Sequence, residues 1–253
     1  MDQINNDDYQ SLIGPRRGTL FSTTNWSVVL AAGDLSSPEA NASLAQLCQT
    51  YWFPLYCCVR RHGHPPDDAK DLTQGFFAKL LEKNQLSLPD PERGRFRTFL
   101  LRSLENYLRT MHEGQVAQKR GGGREFVSWD AQTAEDRYAC EPADQFTPAD
   151  LFEREWALTL LNNVLERLRL EFETSGRPQL FEALEPHLWG DNTSAPHAQI
   201  GTDLGMTTVS VRVTLHRLRQ RFGELVRAEI ADTLADPLET ETELQHLLQI
   251  VTL

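Results

Sequence analysis

The chain has few cysteines, and none stands in a pattern that binds metal or carries redox chemistry. Its 253 residues include four cysteines without a CxxC pair, which favours reduced thiols that serve packing. No window approaches the run of about 18 apolar residues that a membrane span needs, and the first residues lack a basic stretch followed by an apolar core. We therefore expect a cytoplasmic protein that inserts into no membrane and binds no metal or cofactor.

Motifs of the common enzyme classes are missing as well. The sequence holds no Gly-rich phosphate loop, no HExxH motif and no GxSxG motif. It also has no Asp, His and Ser residues in the sequence context of a catalytic triad. The glycines at 121–123 lack the Lys and Ser or Thr that follow in a phosphate loop, so they indicate a linker. The sequence predicts that the protein is not an enzyme, and we assign no catalytic residue.

Charge is unevenly distributed along the chain. A net charge of −11 by itself argues against a nucleic-acid partner. However, residues 93–124 carry eight Lys or Arg against two Glu, and residues 206–227 carry five Arg against one Glu. Residues 125–173 hold twelve acids against four bases, and residues 228–253 hold six acids and no Lys or Arg. Two basic segments flanked by acidic ones are typical of a chain with two DNA-contacting elements.

Apolar residues recur at spacings of three and four along nearly every structured stretch, and alternating β-type runs are absent. The pattern predicts an all-α fold of two helical domains joined by a polar linker. We place an N-terminal extension with a short helix at 1–36, a first domain at 37–120, a flexible acidic linker at 121–146, a second domain at 147–235 and an amphipathic tail at 236–253. The sequence does not show what the tail packs against.

Residues 197–211 have the spacing of a helix-turn-helix. Gly201 is small where the two helices approach, and Gly205 permits a left-handed turn residue. The small shared core is predicted from Ile200, Leu204, Met206 and Val211.

The second helix of this motif presents side chains that can bond phosphates or base edges in the major groove. The predicted DNA-binding residues are Thr207, Thr208, Ser210, Arg212, His216, Arg217 and Arg219. A plain helical hairpin with a solvated basic face is the alternative that stays open.

A second candidate nucleic-acid element lies in residues 93–109, where arginines and aromatic residues are interleaved. Arginines can follow phosphates while aromatic rings stack on exposed bases, each stack contributing about 1–3 kcal/mol. The candidate DNA-binding residues here are Arg95, Phe96, Arg97, Arg102, Asn106 and Arg109. The alternative, that the phenylalanines belong to the core, is favoured for Phe99 and is open for Phe96.

A family resemblance rests on YWFPLY at 51–56, DAKDLTQGFF at 68–77 and FRTFLLR at 96–102. These stretches resemble conserved region two of the extracytoplasmic-function sigma factors of the sigma-70 class. The helix-turn-helix with LHRLR at 215–219 resembles their region four. The resemblance spans residues 40–120 and 150–228.

The resemblance implies a factor that binds core RNA polymerase, directs it to promoters and helps to melt promoter DNA. It implies that residues 93–109 capture the upstream-of-start element and that residues 207–219 recognise the more distant one. The residues that it assigns to the polymerase beta-prime coiled coil are Asp68, Asp71, Leu72, Gln74 and Phe77. For Phe77, a position in the domain core is the alternative that stays open. Lys70 is a departure from the family pattern, because many relatives carry an acid at this position.

Regulatory partners of two classes are compatible with the resemblance, an anti-sigma factor and a Ser/Thr kinase. A phosphate on Thr73 would add nearly two negative charges close to the docking surface and could offset Lys70. The competing hypothesis is a polymerase-independent helix-turn-helix transcriptional regulator with an N-terminal sensory or interaction domain. That regulator would bind duplex promoter DNA without polymerase, whereas a sigma factor needs the core enzyme for tight, specific binding.

Overall fold

The computed structural model describes residues 26–34, 39–82, 94–115, 131–139, 146–189 and 196–252. Within these ranges every regular element is a helix and no strand is present, so the all-α part of the fold prediction is confirmed. The α-helices in chain order are α1 (Trp26–Gly33), α2 (Ala40–Arg61), α3 (Pro66–Glu82), α4 (Phe96–Gln115), α5 (Ala131–Ala139), α6 (Pro148–Thr174), α7 (Pro178–Leu184), α8 (His197–Asp203), α9 (Thr208–Ala231) and α10 (Thr240–Thr252). Not one of these helices is both long and apolar enough to cross a membrane.

The described part of the chain forms two compact units. The first unit holds the described residues of Thr23–Ala157 together with Ala231–Val251, and the second unit holds those of Leu158–Ile230. The sequence-based boundaries at 146 and 235 were set at polar stretches, whereas the two units are defined by contacts between residues. Helix α6 contributes residues to both units. Most of the N-terminal extension and the glycines at 121–123 lie outside the described residues.

Aromatic side chains from four helices meet in the core of the first unit. The Phe96 ring of α4 lies edge-on to Tyr51 of α2, with 5.5 Å between ring centroids, and to Trp26 of α1 at 6.1 Å. Tyr51 also stacks on Phe152 of α6 at 6.4 Å. Such ring pairs each contribute about 0.5–1.5 kcal/mol beyond the area that they bury. The first turn of α4 is therefore held in place by side-chain packing as well as by its backbone hydrogen bonds.

The second unit buries one face of α9. Val211, Leu215 and Leu218 are each at most 4% exposed, and their spacing of four and three residues places them on one side of the helix. The adjoining core comes from α6, α7 and α8, in which Leu168, Phe181, Leu184 and Ile200 are likewise buried. Because this face is buried, the opposite face of α9 points to solvent.

Candidate nucleic-acid interface

The turn between α8 and α9 depends on two glycines. Gly205 has a φ of +65°, a left-handed conformation that favours glycine. The Met206 amide donates to the Gly201 carbonyl over 2.7 Å, and the Gly205 amide donates to the Thr202 carbonyl over 3.4 Å, which is the Schellman pattern that ends a helix. A Cβ on Gly201 would lie 2.7 Å from the Met206 carbonyl oxygen. The geometry thus requires both glycines: Gly205 for its left-handed conformation, and Gly201 for the close approach of the Met206 carbonyl oxygen.

We expect Gly205→Ala to lower the free energy of unfolding by about 1–2 kcal/mol, the cost of a Cβ in the left-handed region. Gly205→Asn should lose less, because asparagine tolerates this conformation better. Urea unfolding followed by circular dichroism measures both changes. Gly223→Ala, inside α9, is the matched control: its Cβ would lie 3.1 Å from the end of the flexible Arg227 side chain, which can move away, so the change should stabilise the protein by about 0.5–1 kcal/mol. An unchanged stability of Gly205→Ala would contradict the turn geometry.

Thr207 caps the N-terminus of α9. Its hydroxyl oxygen accepts a hydrogen bond from the Ser210 amide over 3.1 Å and its hydroxyl donates to the Ser210 hydroxyl over 2.9 Å. Such a cap contributes about 1 kcal/mol to a helix. Both residues are exposed, so they lie at the surface where contact with DNA was predicted, with their hydroxyls already engaged in the cap.

The exposed face of α9 contains three further predicted DNA-binding residues, Arg212, His216 and Arg217. None of the three forms a hydrogen bond or ion pair with another residue that the structure describes. Thr208 is half-buried. Arg219 is exposed but donates to the His187 carbonyl oxygen over 2.6 Å. The structure therefore presents two unpaired guanidinium groups here, those of Arg212 and Arg217.

The other predicted DNA-binding segment begins inside the first unit. Phe96 is 3% exposed and Arg97 is 2% exposed. Phe96 therefore occupies the core position that the sequence left open for it. Both side chains were candidates for contact with promoter DNA, with the core as the open alternative for Phe96, and their burial decides against that contact in this conformation. The physical reason is that Phe96 packs against aromatic rings of α1 and α2, whereas Arg97 faces charged side chains of α6 and α10.

Arg97 lies at the centre of a buried ion-pair network. Its Nε donates to Glu153 of α6 over 2.6 Å and its Nη2 donates to Glu243 of α10. The guanidinium also lies 4.3 Å from the Trp156 ring centroid. Glu243 is 0% exposed and forms a second ion pair, over 2.5 Å, with Arg95. The tail helix α10, whose packing partner the sequence did not show, thus packs in the first unit with its carboxylate on Arg95 and Arg97.

The rest of α4 presents the predicted polar residues at the surface. Arg102, Asn106 and Arg109 are all exposed, and Arg109 donates to the Asn106 side-chain oxygen over 2.7 Å. The three residues are three and four positions apart, so they share one face of the helix. This face is available to a negatively charged partner.

Helix α3 carries the residues assigned to polymerase docking. Asp68 and Asp71 are exposed and Gln74 is half-buried, whereas Leu72 and Phe77 are 8% and 5% exposed and belong to the core. Leu72 and Phe77 are therefore not presented to a partner, because they form the apolar side of the same helix.

Thr73, the position considered for phosphorylation, lies on the buried side of α3. Its side chain is 0% exposed, and its hydroxyl donates to the Ala69 carbonyl oxygen over 2.7 Å. A kinase would have to open α3 to reach this hydroxyl. The hypothesis of a phosphate on Thr73 therefore carries a structural cost that the sequence did not show.

The acidic linker contains helix α5, which sequence reasoning missed. Glu135 of α5 accepts hydrogen bonds from the Tyr56 hydroxyl over 2.7 Å and from Arg60 over 2.6 and 2.9 Å. Arg137 lies 3.3 Å from the Phe53 ring centroid. These contacts hold α5 against α2. Hydrogen bonds from Arg60, followed by the one from Tyr56, outweigh partial burial and lower the pKa of Glu135.

The lowered pKa of Glu135 predicts a loss of stability in acid. The interaction is fully present above the ordinary glutamate pKa of about 4.3 and is lost as the pH falls through the lowered folded-state value. Glu135→Gln should reduce stability at neutral pH by about 1 kcal/mol, the scale of a partly exposed ion pair, and should flatten the acid dependence. Urea unfolding at a series of acidic pH values measures this, with exposed Glu182→Gln as the control. An unchanged pH profile in Glu135→Gln would argue against the prediction.

Comparison with known proteins gives no match to any protein-family model, curated protein or solved structure. The function must therefore be inferred from the residues and their geometry. Among the residues that the structure describes, the fold is helical, and a capped, exposed basic helix follows a glycine turn. In the first unit, acidic side chains from α6 and α10 pair with the start of α4.

Proposed function

We propose that the chain is a transcription initiation factor of the sigma type that binds core RNA polymerase and directs it to promoter DNA. The observation that carries this proposal is the exposed face of α9, on which Arg212 and Arg217 have no ion-pair partner among the described residues. The opposite face of α9 is buried in the second unit. An unpaired guanidinium on its exposed face can form a bidentate contact with guanine in the major groove, or it can bind a phosphate.

Two faces of the first unit support the same proposal. The face of α4 formed by Arg102, Asn106 and Arg109 is exposed and suits phosphates. On α3, the exposed residues Asp68 and Asp71 leave a polar face for a protein partner. These surfaces support the proposal: the resemblance to region two assigns α3 to core polymerase and α4 to the upstream-of-start element, and the resemblance to region four assigns α9 to the more distant element.

A second candidate function, a helix-turn-helix regulator that needs no polymerase, is favoured by the burial of Phe96 and Arg97. Melted DNA would have to be captured by side chains that can stack on bases or contact phosphates. With these two side chains packed inside the first unit, α9 would be the main DNA contact. Such a regulator would bind its duplex site without core polymerase.

A run-off transcription assay with core polymerase, this protein and genomic fragments separates the two candidates. A sigma factor should give initiation at a defined start that is lost in Arg212→Ala and in Gln74→Ala. Gln179→Ala, an exposed glutamine of α7, is the matched control and should retain initiation. Duplex binding that is equally tight with and without core polymerase, and no defined start, would contradict the sigma proposal and support the regulator.

A further inference from the structure

Two valines on the candidate DNA-binding helix expose their apolar side chains to solvent. Val209 is 69% exposed and Val213 is 44% exposed. They lie four residues apart on α9 and are therefore neighbours on one face of the helix. Single exposed apolar residues are common on protein surfaces. Val209 and Val213, however, are adjacent on one helix and together form a continuous apolar ridge.

Unpaired positive charges flank this ridge. The helical repeat of 3.6 residues places Arg212 to one side of the two valines and Arg217 to the other, and both arginines are exposed. His216 lies between them on the same face. A partner that fits this face must be negatively charged on both sides and must offer small apolar groups in the middle. The major groove of B-DNA meets both requirements, because phosphates line it and thymine 5-methyl groups project into it.

We propose that Val209 and Val213 contact the 5-methyl groups of two thymines in the recognised DNA element. This inference rests on the proposed function, because it requires α9 to enter the major groove. Four residues of α-helix rise about 6 Å, which corresponds to about two base-pair steps of about 3.4 Å each. The element therefore contains thymines about two steps apart, between the guanine or phosphate contacts of Arg212 and Arg217.

The test uses the full chain with core polymerase and a duplex selected from a random-sequence library for tight binding. Each thymine of that duplex is replaced in turn by deoxyuridine, which removes the 5-methyl group and leaves base pairing unchanged. The wild-type protein should lose about fourfold in affinity at each of two positions, the factor that burial of one methyl group contributes. Fluorescence anisotropy gives the Kd for each duplex.

A variant carrying Val209→Ala and Val213→Ala completes the test. It should bind the thymine duplex about as weakly as the wild type binds the doubly substituted duplex, and it should lose nothing more on deoxyuridine. Both side chains are exposed and alanine favours helix, so the variant is expected to fold. Leu238→Ala, which truncates an 89% exposed side chain outside α9, is the matched control and should keep the sensitivity to deoxyuridine.

Three other outcomes would overturn the contact between the two valines and thymine, and the last of them would also overturn the proposed function. A selected duplex that binds equally well with thymine or deoxyuridine at every position overturns the thymine contact and leaves the proposed function standing. Sensitivity to deoxyuridine that persists in the double valine variant assigns methyl recognition to other residues and also overturns the inference. A library from which no sequence is enriched, with or without core polymerase, overturns the proposed function together with this inference.

Discussion

Arg97→Leu should lower the free energy of unfolding by about 3–5 kcal/mol, the usual cost of removing one partner from a buried ion pair. Arg97 is 2% exposed, and its loss would leave Glu243, which is 0% exposed, without one of its two cations. The change would also remove the guanidinium from Glu153 and from the Trp156 ring. Urea unfolding followed by tryptophan fluorescence measures the effect.

Two further variants show whether the buried charges cause this loss. Arg102→Leu removes the same charge from an exposed position of α4 and should change stability by no more than about 0.5 kcal/mol. Adding Glu243→Leu to Arg97→Leu should recover part of the loss, since an apolar pair often replaces a buried ion pair without cost. If Arg97→Leu is as stable as the wild type and loses only DNA binding, then Arg97 contacts DNA and its burial does not describe the active protein.

Arg212→Ala should weaken specific promoter binding by the holoenzyme about 5- to 150-fold, the range for loss of one bidentate contact to a base. The side chain is exposed and has no ion pair within the described part of the chain, so its removal should not affect folding. Fluorescence anisotropy with a promoter duplex measures the Kd, and circular dichroism checks the fold.

Arg227→Ala is the matched control for this prediction. It removes the same charge from the same helix about 22 Å further along its axis, beyond the face that is proposed to meet DNA, and should change the Kd by less than about threefold. An equal loss in both variants would show a general charge effect and would contradict a specific role of Arg212. A contact of Arg212 with a phosphate would instead weaken all sequences alike and reduce the salt slope by about one.

The helices and the turn between α8 and α9 could be predicted because they depend on local chemistry. Gly205 in a left-handed conformation and the buried face with Val211 both follow from residues close together in the chain. Helix α5 was missed because its residues carry little apolar periodicity. Its position depends on Glu135 meeting Tyr56 and Arg60 of α2, and composition around the linker favoured a solvated segment.

The spacing of residues in the tail is enough to predict that Glu243 is buried. Glu243, Leu247 and Ile250 stand four and three residues apart, so the glutamate shares the buried face of α10. An acid on an apolar face predicts a buried cation as its partner, because an unpaired buried charge is too costly. Periodicity does not identify that cation, which is 146 residues away in the chain.

The sequence by itself determined the helical class of the described residues, the glycine turn and the row of basic side chains along α9, since each depends on backbone conformation and on spacing within one helix. Only the tertiary structure decided that Phe96 and Arg97 lie inside the first unit and that Glu243 reaches them. The reason is that solvent exposure depends on which helices pack together, and the pairing of α4 with α6 and α10 joins residues far apart in the chain.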